Sequence, residues 1–141
     1  MSKPENSFIA GVHKYIGCYA EKMHNPYRGG TPDVWYSGLL RDLWVEYKFI
    51  VLPKRDTTVI VPDLSPLQLQ WLRLRANEGR NVAVAVGCKE GGAILEKHQW
   101  EALTAHEFRR ILISRRALAD RITGFANFAV PLHQTAFKTN A

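Results

Sequence analysis

The 141-residue sequence predicts an α/β domain with a mixed central sheet that has helices on both faces. Apolar segments with the period of a strand alternate along the chain with segments that have the period of a helix. One segment, NVAVAVGC (81–88), is apolar without polar alternation, as in a strand that is buried on both faces. This order of elements is typical of a layered fold in which helices cover a sheet.

The first predicted element is a helix at the N-terminus. The letters SKPE match a capping box, with Ser2 as the N-cap and Glu5 at the third helical position. Apolar residues at helical spacing follow, namely Phe8, Val12, Tyr15, Ile16 and Tyr19. The helix is expected to end before HNPYRGGTP (24–32), a loop rich in glycine and proline.

A β-hairpin is predicted next. Its strands are DVWY (33–36) and LWVEYKFIV (43–51), joined by the turn SGLLRD (37–42). Side chains alternate across a strand. One face of the second strand therefore carries Leu43, Val45, Tyr47 and Phe49, and the other carries Trp44, Glu46, Lys48 and Ile50. The segment LPKRDTTVIVPD (52–63) is expected to extend the strand or to form a mobile loop.

The middle of the chain predicts a helix and then the buried strand. In SPLQLQWLRLRANEG (65–79), Ser65 is the expected N-cap, Pro66 the first helical residue and Gly79 the residue past the end. After NVAVAVGC, the segment GGAILEK (91–97) is expected to form a short partner strand.

Two further helices are predicted in QWEALTAHEFRRIL (99–112) and SRRALADRI (114–122). The segment from Gly124 onward has no clear period, so residues 125–141 are expected to be a tail that packs on the surface or is disordered. Without repeats or a linker, residues 1–124 are expected to form one domain.

Composition limits the classes of function. The net charge of +6 favours a polyanionic partner, although the arginines lie in helical segments and not in a basic tail. No apolar run is long enough for a membrane span and the start has no signal-peptide pattern, so a cytoplasmic protein is expected. Cys18 and Cys88 are expected to be free core thiols. No nucleotide-cofactor fingerprint occurs.

The charged residues of the hairpin are the candidates for chemistry. Antiparallel pairing would bring Asp33 near Glu46 or Lys48, and two carboxylates that meet repel each other unless a cation lies between them. Carboxylate oxygens suit Mg²⁺ or Mn²⁺, and the backbone carbonyl of Tyr47 would add another oxygen. From these residues alone, a salt bridge between Lys48 and one carboxylate explains the pattern equally simply.

The stretch GGTPDVWYSGLLRDLWVEYK (29–48) resembles the two halves of the PD-(D/E)XK nuclease signature. More narrowly, GTPD, VEYK and LSPLQLQWLRLRANEG resemble, in order and spacing, the VRR-NUC (virus-type replication-repair nuclease) family in its stand-alone, phage-like form. The resemblance covers residues 5–86. It implies a restriction-endonuclease-like core.

The resemblance also implies roles for individual residues. Asp33 and Glu46 would be metal ligands, Lys48 the catalytic lysine, and Gln68 a residue at the edge of the site. Glu5 resembles the glutamate that an N-terminal helix often adds to sites of this superfamily, although its capping role is an alternative.

Other residues are weaker candidates. His24 and Arg28 precede the metal turn and would contact phosphate, or would simply be solvated. Arg115 and Arg116 are expected along a DNA-binding edge, and Leu112, Ile113, Leu118 and Ile122 in or beside a dimer contact, with ordinary packing as the alternative. The four tryptophans, at 35, 44, 71 and 100, are expected to be core residues and not base-stacking platforms.

The function that the resemblance implies is a Mg²⁺-dependent DNA endonuclease. It would act as a homodimer on branched DNA, as a Holliday-junction resolvase does in repair or recombination, and leave a 5′-phosphate. Cleavage directed by a flap or a nick is an alternative within the same fold. A non-catalytic nucleic-acid-binding module and a purely structural α/β protein are the alternatives from other classes.

Overall fold

The computed structural model describes residues 2–24 and 29–133. The helices are α1 Lys3–His13, α2 Pro66–Asn77, α3 Ala105–Ile111 and α4 Arg115–Asn127, with a short 3₁₀ helix at Lys97–Gln99. The strands are β1 Tyr19–Lys22, β2 Val34–Ser37, β3 Asp42–Phe49, β4 Val59–Ile60, β5 Val82–Cys88, β6 Gly91–Ile94 and β7 Leu103–Thr104.

The central sheet has five strands in the order β1-β2-β3-β5-β6. Strands β3 and β5 are parallel and are connected through α2, whereas every other neighbouring pair is antiparallel. The predicted mixed sheet is therefore confirmed, as are the hairpin and the buried central strand. Strands β4 and β7 form a separate antiparallel pair, so the segment after β3 contains a short strand that does not extend β3.

The two faces of the sheet carry separate apolar cores, because the side chains of β5 alternate between them. Ala83 and Ala85 lie in the core that α1 and α4 cover. Val84 and Val86 lie in the core that α2 and α3 cover. Helices therefore flank the sheet on both faces, as the sequence predicted.

Helix α2 begins and ends as the sequence predicted. The Ser65 hydroxyl accepts the Gln68 N–H and the Gln68 side chain accepts the Ser65 N–H, so each satisfies one amide that the first helical turn leaves unpaired. Gly79 follows the last turn with φ +85°, a left-handed conformation that glycine adopts without strain.

The N-terminal helix is shorter than predicted. It ends at His13, and Tyr19 lies in strand β1, which the sequence did not predict. Three of the four β1 side chains are exposed, so this edge strand lacks the alternation of apolar and polar residues that predicts a strand. Tyr15 is also exposed, so the apolar spacing beyond Val12 does not mark a buried helix face.

The C-terminal half also differs from the prediction. The segment expected as a helix over 99–112 contains the end of the 3₁₀ helix and strand β7 before α3 starts at Ala105. Thr104 is the N-cap of α3, in a capping box with Glu107. Because this cap sets the start of α3, the α-helix does not extend to the residues before Thr104.

Helix α4 continues to Asn127, beyond the expected end of the domain at residue 124. Phe125 and Leu132 belong to the core, so part of the expected tail packs into the domain. Residues 134–141 lie outside the described residues. The division at residue 124 otherwise stays a prediction.

The end of α4 holds the turn of the β2–β3 hairpin. The Leu40 and Arg41 N–H groups donate to the Ala126 carbonyl over 2.9 and 3.2 Å, and Arg41 Nε donates to the Phe125 carbonyl over 2.5 Å. A Cβ on Gly38 would lie 2.4 Å from the Ala126 carbonyl carbon, so the turn approaches the helix too closely for a side chain. We name these contacts between residues 38–41 and 125–127 the hairpin clamp.

The expected dimer contact is wrong in part, because its residues are packed inside the chain. Leu118 and Ile122 are fully buried against the sheet, and Leu112 and Ile113 are partly buried against the two cores. Amphipathic helix spacing does not distinguish burial in the chain's own core from burial against a second copy.

Cys18 and Cys88 are both free thiols, as predicted. Within the described ranges, no helix has the length and apolar character needed to cross a membrane.

Candidate active site

The hairpin register brings the two predicted carboxylates together. Val34 pairs with Val45, so Asp33, one residue before β2, lies opposite Glu46. The Tyr47 N–H donates to Asp33 Oδ2 over 2.8 Å, and the Met23 N–H donates to the Asp33 backbone carbonyl over 2.8 Å. These bonds fix both the backbone and the side chain of Asp33 at the end of the ladder.

Glu46 is a buried carboxyl group that is only partly satisfied. Its side chain is 2% exposed, and Gln68 Nε2 donates to its Oε2 over 2.9 Å. Lys48 Nζ lies 3.9 Å from the same oxygen, at the limit of an ion pair. Glu46 Oε1 is buried and no N–H or hydroxyl group donates to it. The Asp33 carboxyl group is close enough to share a proton with Glu46 when Glu46 is protonated. A buried oxygen without a partner is costly to the fold, so it indicates a place for a ligand.

The electrostatics of the pair raises the pKa of both carboxyl groups, and that of Glu46 far enough to favour its protonated form near neutral pH. Burial, and then the charge of Asp33, raises the pKa of Glu46 to about 9. Burial also raises the pKa of Asp33, against the lowering effect of the Tyr47 N–H bond. Since two adjacent carboxylates repel each other, a divalent cation between them would allow both to ionise near neutral pH.

Gln68 is oriented by its own helix cap. Its Oε1 accepts the Ser65 N–H, so its Nε2 is left to donate to Glu46. The segment SPLQ (65–68) therefore determines both where α2 starts and how the side-chain amide of Gln68 is oriented. The structure places Gln68 in contact with Glu46, and its role in a catalytic site stays a prediction.

Glu5 lies close enough to act on the site through its charge, which raises the pKa of both Asp33 and Glu46. It also keeps the capping role: the Ser2 hydroxyl donates to Glu5 Oε1 over 3.0 Å and accepts the Glu5 N–H over 3.3 Å. Both interpretations of this residue are thus compatible with the structure.

The two carboxyl groups of Asp33 and Glu46 are ligands that suit a small, hard cation, although they do not supply a complete coordination shell. No group of three His, Cys, Asp or Glu side chains forms a metal site within residues 2–24 and 29–133. Two facing carboxyl groups, one with an unpartnered oxygen, nevertheless match the oxygen ligands that Mg²⁺ takes alongside water and phosphate. The Tyr47 carbonyl lies between Glu46 and Lys48 in the same strand, and its role as a ligand stays a prediction.

Gly29 and Gly30, which precede Asp33 in the chain, pack tightly on α2. Gly30 has φ +92°, and a Cβ there would lie 2.4 Å from the Leu67 carbonyl oxygen. The loop and helix therefore approach closely enough to hold Asp33 and Gln68 on the same side of the sheet.

Gly30→Ala is expected to destabilise the protein by about 1–3 kcal/mol, because alanine is strained at positive φ and its methyl group meets backbone. Urea unfolding of this variant measures the loss. Gly79→Ala is the matched control, since Gly79 has a similar φ of +85° but open space around its Cβ. Equal losses in the two variants would show that the contact with Leu67 is unimportant.

The four residues that were expected to contact DNA lie in different environments. His24 is exposed after β1, and Arg28 lies outside the described residues. Arg115 donates to the Cys88 and Lys89 carbonyls and lies 5.0 Å from the ring centroid of Phe8, so its contacts are structural. Arg116 is exposed beside Tyr15. A role of these residues in DNA binding stays a prediction.

A chain of hydrogen-bonded side chains behind the site, formed by two buried tyrosines and the partly buried His13, was not predicted from the sequence. His13 Nε2 lies 2.8 Å from Tyr36 Oη, which lies 2.5 Å from Tyr47 Oη. Burial, and then the charge of Lys22, lowers the pKa of His13. The sequence feature that could have indicated these hydrogen bonds is the pair of tyrosines, Tyr36 and Tyr47, at core-facing positions of the two hairpin strands. These hydrogen bonds tie Tyr47, whose backbone N–H donates to Asp33, to Tyr36 and His13.

The expectation that all four tryptophans are core residues is wrong for Trp35 and Trp44, which belong to neither core, whereas Trp71 packs partly against the core that α2 and α3 cover. Trp100 is buried, at 2% exposure, whereas Trp35, Trp44 and Trp71 are only half-buried. Strand alternation placed Trp44 on the face of Glu46 correctly, but it did not show that helices leave this part of the face partly open.

Comparison with known proteins places the fold. No family model matches the chain. A UPF0178 protein of Roseobacter denitrificans is 37% identical over 68 residues, which are 45% of this chain and 45% of that protein, so the match spans less than half the length of either.

A solved structure of Archaeoglobus fulgidus Hjc, a Holliday junction resolvase from an archaeal hyperthermophile, is similar with a TM-score of 0.53 and 15% identity. The match covers 86% of this chain and 99% of that chain. Together with the five-stranded mixed sheet between helices, this similarity establishes the restriction-endonuclease-like fold that the sequence predicted.

Proposed function

We propose that the protein is a divalent-metal-dependent DNA endonuclease of the VRR-NUC type. The observation that carries the proposal is the pairing of Asp33 with a buried Glu46 whose Oε1 has no partner, beside Lys48. The motifs GTPD, VEYK and LSPLQ supply these residues in one site, which supports the family assignment. The fold that the chain shares with a Holliday junction resolvase supports it further.

Asp33 and Glu46 would hold Mg²⁺ or Mn²⁺, with the Tyr47 carbonyl as a further ligand. When bound, the cation supplies Lewis-acid stabilisation of negative charge on the scissile phosphate. The Tyr47 N–H keeps Asp33 in place, and the Gln68 amide keeps the Glu46 carboxylate in place. Both bonds favour the ionised carboxylates that metal binding requires.

Lys48 is the group that would act on the reacting atoms. Its side chain is 18% exposed, so its ammonium group lies at the boundary between the buried carboxyl and the solvent. From there it can orient a water molecule and stabilise the charge that develops on phosphate. Attack of the water oxygen on phosphorus breaks the bond to the 3′ oxygen, leaving a 5′-phosphate and a 3′-hydroxyl.

The preferred substrate is proposed to be branched DNA, cut by a homodimer. The net charge of +6 is consistent with a phosphate-binding surface that reads backbone and not sequence. Because Leu118 and Ile122 are buried in the chain's own core, a dimer would have to use other surfaces.

We expect cleavage of DNA in Mg²⁺ or Mn²⁺ and none in excess EDTA. The assay compares an end-labelled four-way junction, a linear duplex and a flap, with an Asp33→Asn protein purified in parallel to exclude a contaminating nuclease. Cleavage that persists in EDTA would contradict metal dependence. A protein that cuts duplex and junction equally would contradict the preference for branched DNA but not the nuclease.

A further inference from the structure

Four aromatic side chains form a row across the sheet towards helix α2. The ring centroids of Tyr19 and Trp35 are 5.9 Å apart, those of Trp35 and Trp44 are 6.0 Å apart, and those of Trp44 and Trp71 are 5.6 Å apart. One ring each comes from β1, β2, β3 and α2. We name these four residues the aromatic row.

The aromatic row lies on the same face of the sheet as the candidate metal ligands. Trp35 is two residues after Asp33 and Trp44 is two residues before Glu46, so strand alternation points each tryptophan to the side of its carboxyl group. Trp71 follows Gln68 by three residues on α2, on the same side of that helix. The row therefore runs beside the candidate active site.

Trp35 and Trp44 belong to neither core, and Trp71 packs only partly against the core that α2 and α3 cover. Tyr19 is 57% exposed, and the three tryptophans of the row are half-buried. Elsewhere on this face the sheet is covered, because α2 and α3 bury the side chains of β5. A contiguous surface of partly exposed aromatic rings is uncommon unless it binds something.

A cavity of about 640 Å³ adjoins the α2 end of the row. It is lined by Gly29, Leu67, Gln70, Trp71, Leu74 and Arg75. The Arg75 guanidinium carbon lies 5.8 Å from the ring centroid of Trp71. Among the described residues, this lining combines apolar side chains with one amide and one cation and has no carboxylate, a chemistry that suits a flat base attached to a phosphate backbone. At the other end of the row, Tyr19 Oη donates to Glu21 and Trp35 Nε1 donates to Asp42.

We propose that the aromatic row and this cavity bind unstacked nucleobases of a single-stranded DNA segment next to the scissile phosphate. The assignment of that phosphate rests on the proposed function, whereas the binding of bases does not. Bases stack on aromatic rings whatever their identity, so the site selects an unpaired strand and not a sequence. The substrate would then be DNA with unpaired nucleotides beside the cut, such as a flap, a frayed branch point or a gap.

Binding is tested in EDTA, so that cleavage does not interfere. Fluorescein-labelled oligothymidylate and a blunt duplex are titrated with the intact protein, and anisotropy and tryptophan fluorescence are recorded. We expect oligothymidylate to quench the tryptophan fluorescence. Trp35→Ala and Tyr19→Ala should each weaken its binding by about fivefold or more, with duplex binding within about twofold of wild type.

Two further variants sharpen the test. Trp35→Phe keeps an aromatic face and should restore most of the binding that Trp35→Ala loses. Phe128→Ala removes an exposed ring at the end of α4, outside the row, and should bind as wild type does. Tyr19 is so exposed that its variant is expected to fold even if Trp35→Ala does not.

Wild-type oligothymidylate binding by both Trp35→Ala and Tyr19→Ala would overturn the proposal, as would an equal loss of duplex binding. Oligothymidylate binding that depends on the row, in a protein that fails to cut DNA in Mg²⁺, would support the base site and contradict the nuclease. An oligouridylate titration determines whether the site also accepts RNA, since stacking alone does not exclude it.

Discussion

Glu46→Gln is expected to remove Mg²⁺-dependent cleavage while making the metal-free protein more stable near pH 8. The cation contributes several kcal/mol of charge stabilisation to a phosphoryl transition state, so the loss should be about a hundredfold or more. Stability should rise because glutamine fills the same space without a buried acid. Its Oε1 can still accept the bond from Gln68, and its Nε2 can donate to the Asp33 carboxylate.

The pH dependence follows from the direction of the pKa shift. The pKa of Glu46 is about 9 in the folded protein and near its ordinary value of 4.5 in the unfolded chain. Below about pH 4.5 the stabilisation by the bound proton is complete, and it is lost as the pH rises through about 9. The raised pKa of Asp33 acts in the same direction.

Melting temperatures in EDTA between pH 5 and pH 9, roughly the interval between the two pKa values, measure this effect. Wild type should lose stability across the interval, and Glu46→Gln should lose much less, leaving it more stable by at least about 1 kcal/mol near pH 8. Mg²⁺ should restore wild type and not the variant.

Glu101→Gln is the matched control, since Glu101 is an exposed carboxylate paired with Arg73. It should change neither activity nor the pH profile. If Glu46→Gln is less stable than wild type at pH 8, the claim that the buried Glu46 carboxyl destabilises the metal-free protein at that pH is wrong.

Lys48→Met is expected to lower the cleavage rate by about a hundredfold to a thousandfold, with little change in stability or DNA affinity. The size of the effect is that of removing one preorganised donor from a transition-state charge. Methionine keeps the apolar part of the side chain, and the 3.9 Å contact with Glu46 is too long to contribute much to folding.

Single-turnover cleavage separates the chemical step from binding, and anisotropy in EDTA measures DNA affinity. Lys97→Met, which removes an exposed lysine of the 3₁₀ helix, should cut as wild type does. Wild-type turnover by Lys48→Met would show that Lys48 is only an ion-pair partner of Glu46.

The hairpin and its carboxylates could be predicted from the sequence because short-range rules determine them. Alternation in LWVEYKF assigns each side chain to a face, and a short turn sets which residues of the two strands lie opposite each other. The capping letters of α2 likewise determine where Gln68 lies relative to Ser65. Long-range structure added only the approach of α2 to β3.

The rest depends on packing that is not local. Strand β1 is recognisable only once it pairs with β2, because its own side chains are mostly exposed. Likewise, helix spacing in α4 does not reveal that Leu118 and Ile122 pack on this chain's own sheet. The aromatic row is assembled from four separate elements, so no stretch of sequence contains it.

The hairpin clamp has a consequence for how the protein is made. Arg41 finds its acceptor at Phe125, 84 residues later in the chain. At about 5–20 residues per second, a ribosome needs several seconds to synthesise that interval. Over this time the strands that carry Asp33 and Glu46 have left the ribosome, but the helix that anchors their turn does not yet exist. Contacts so distant in sequence also form late in folding. We therefore expect Asp33 and Glu46 to be held in their final positions only after α4 has been translated.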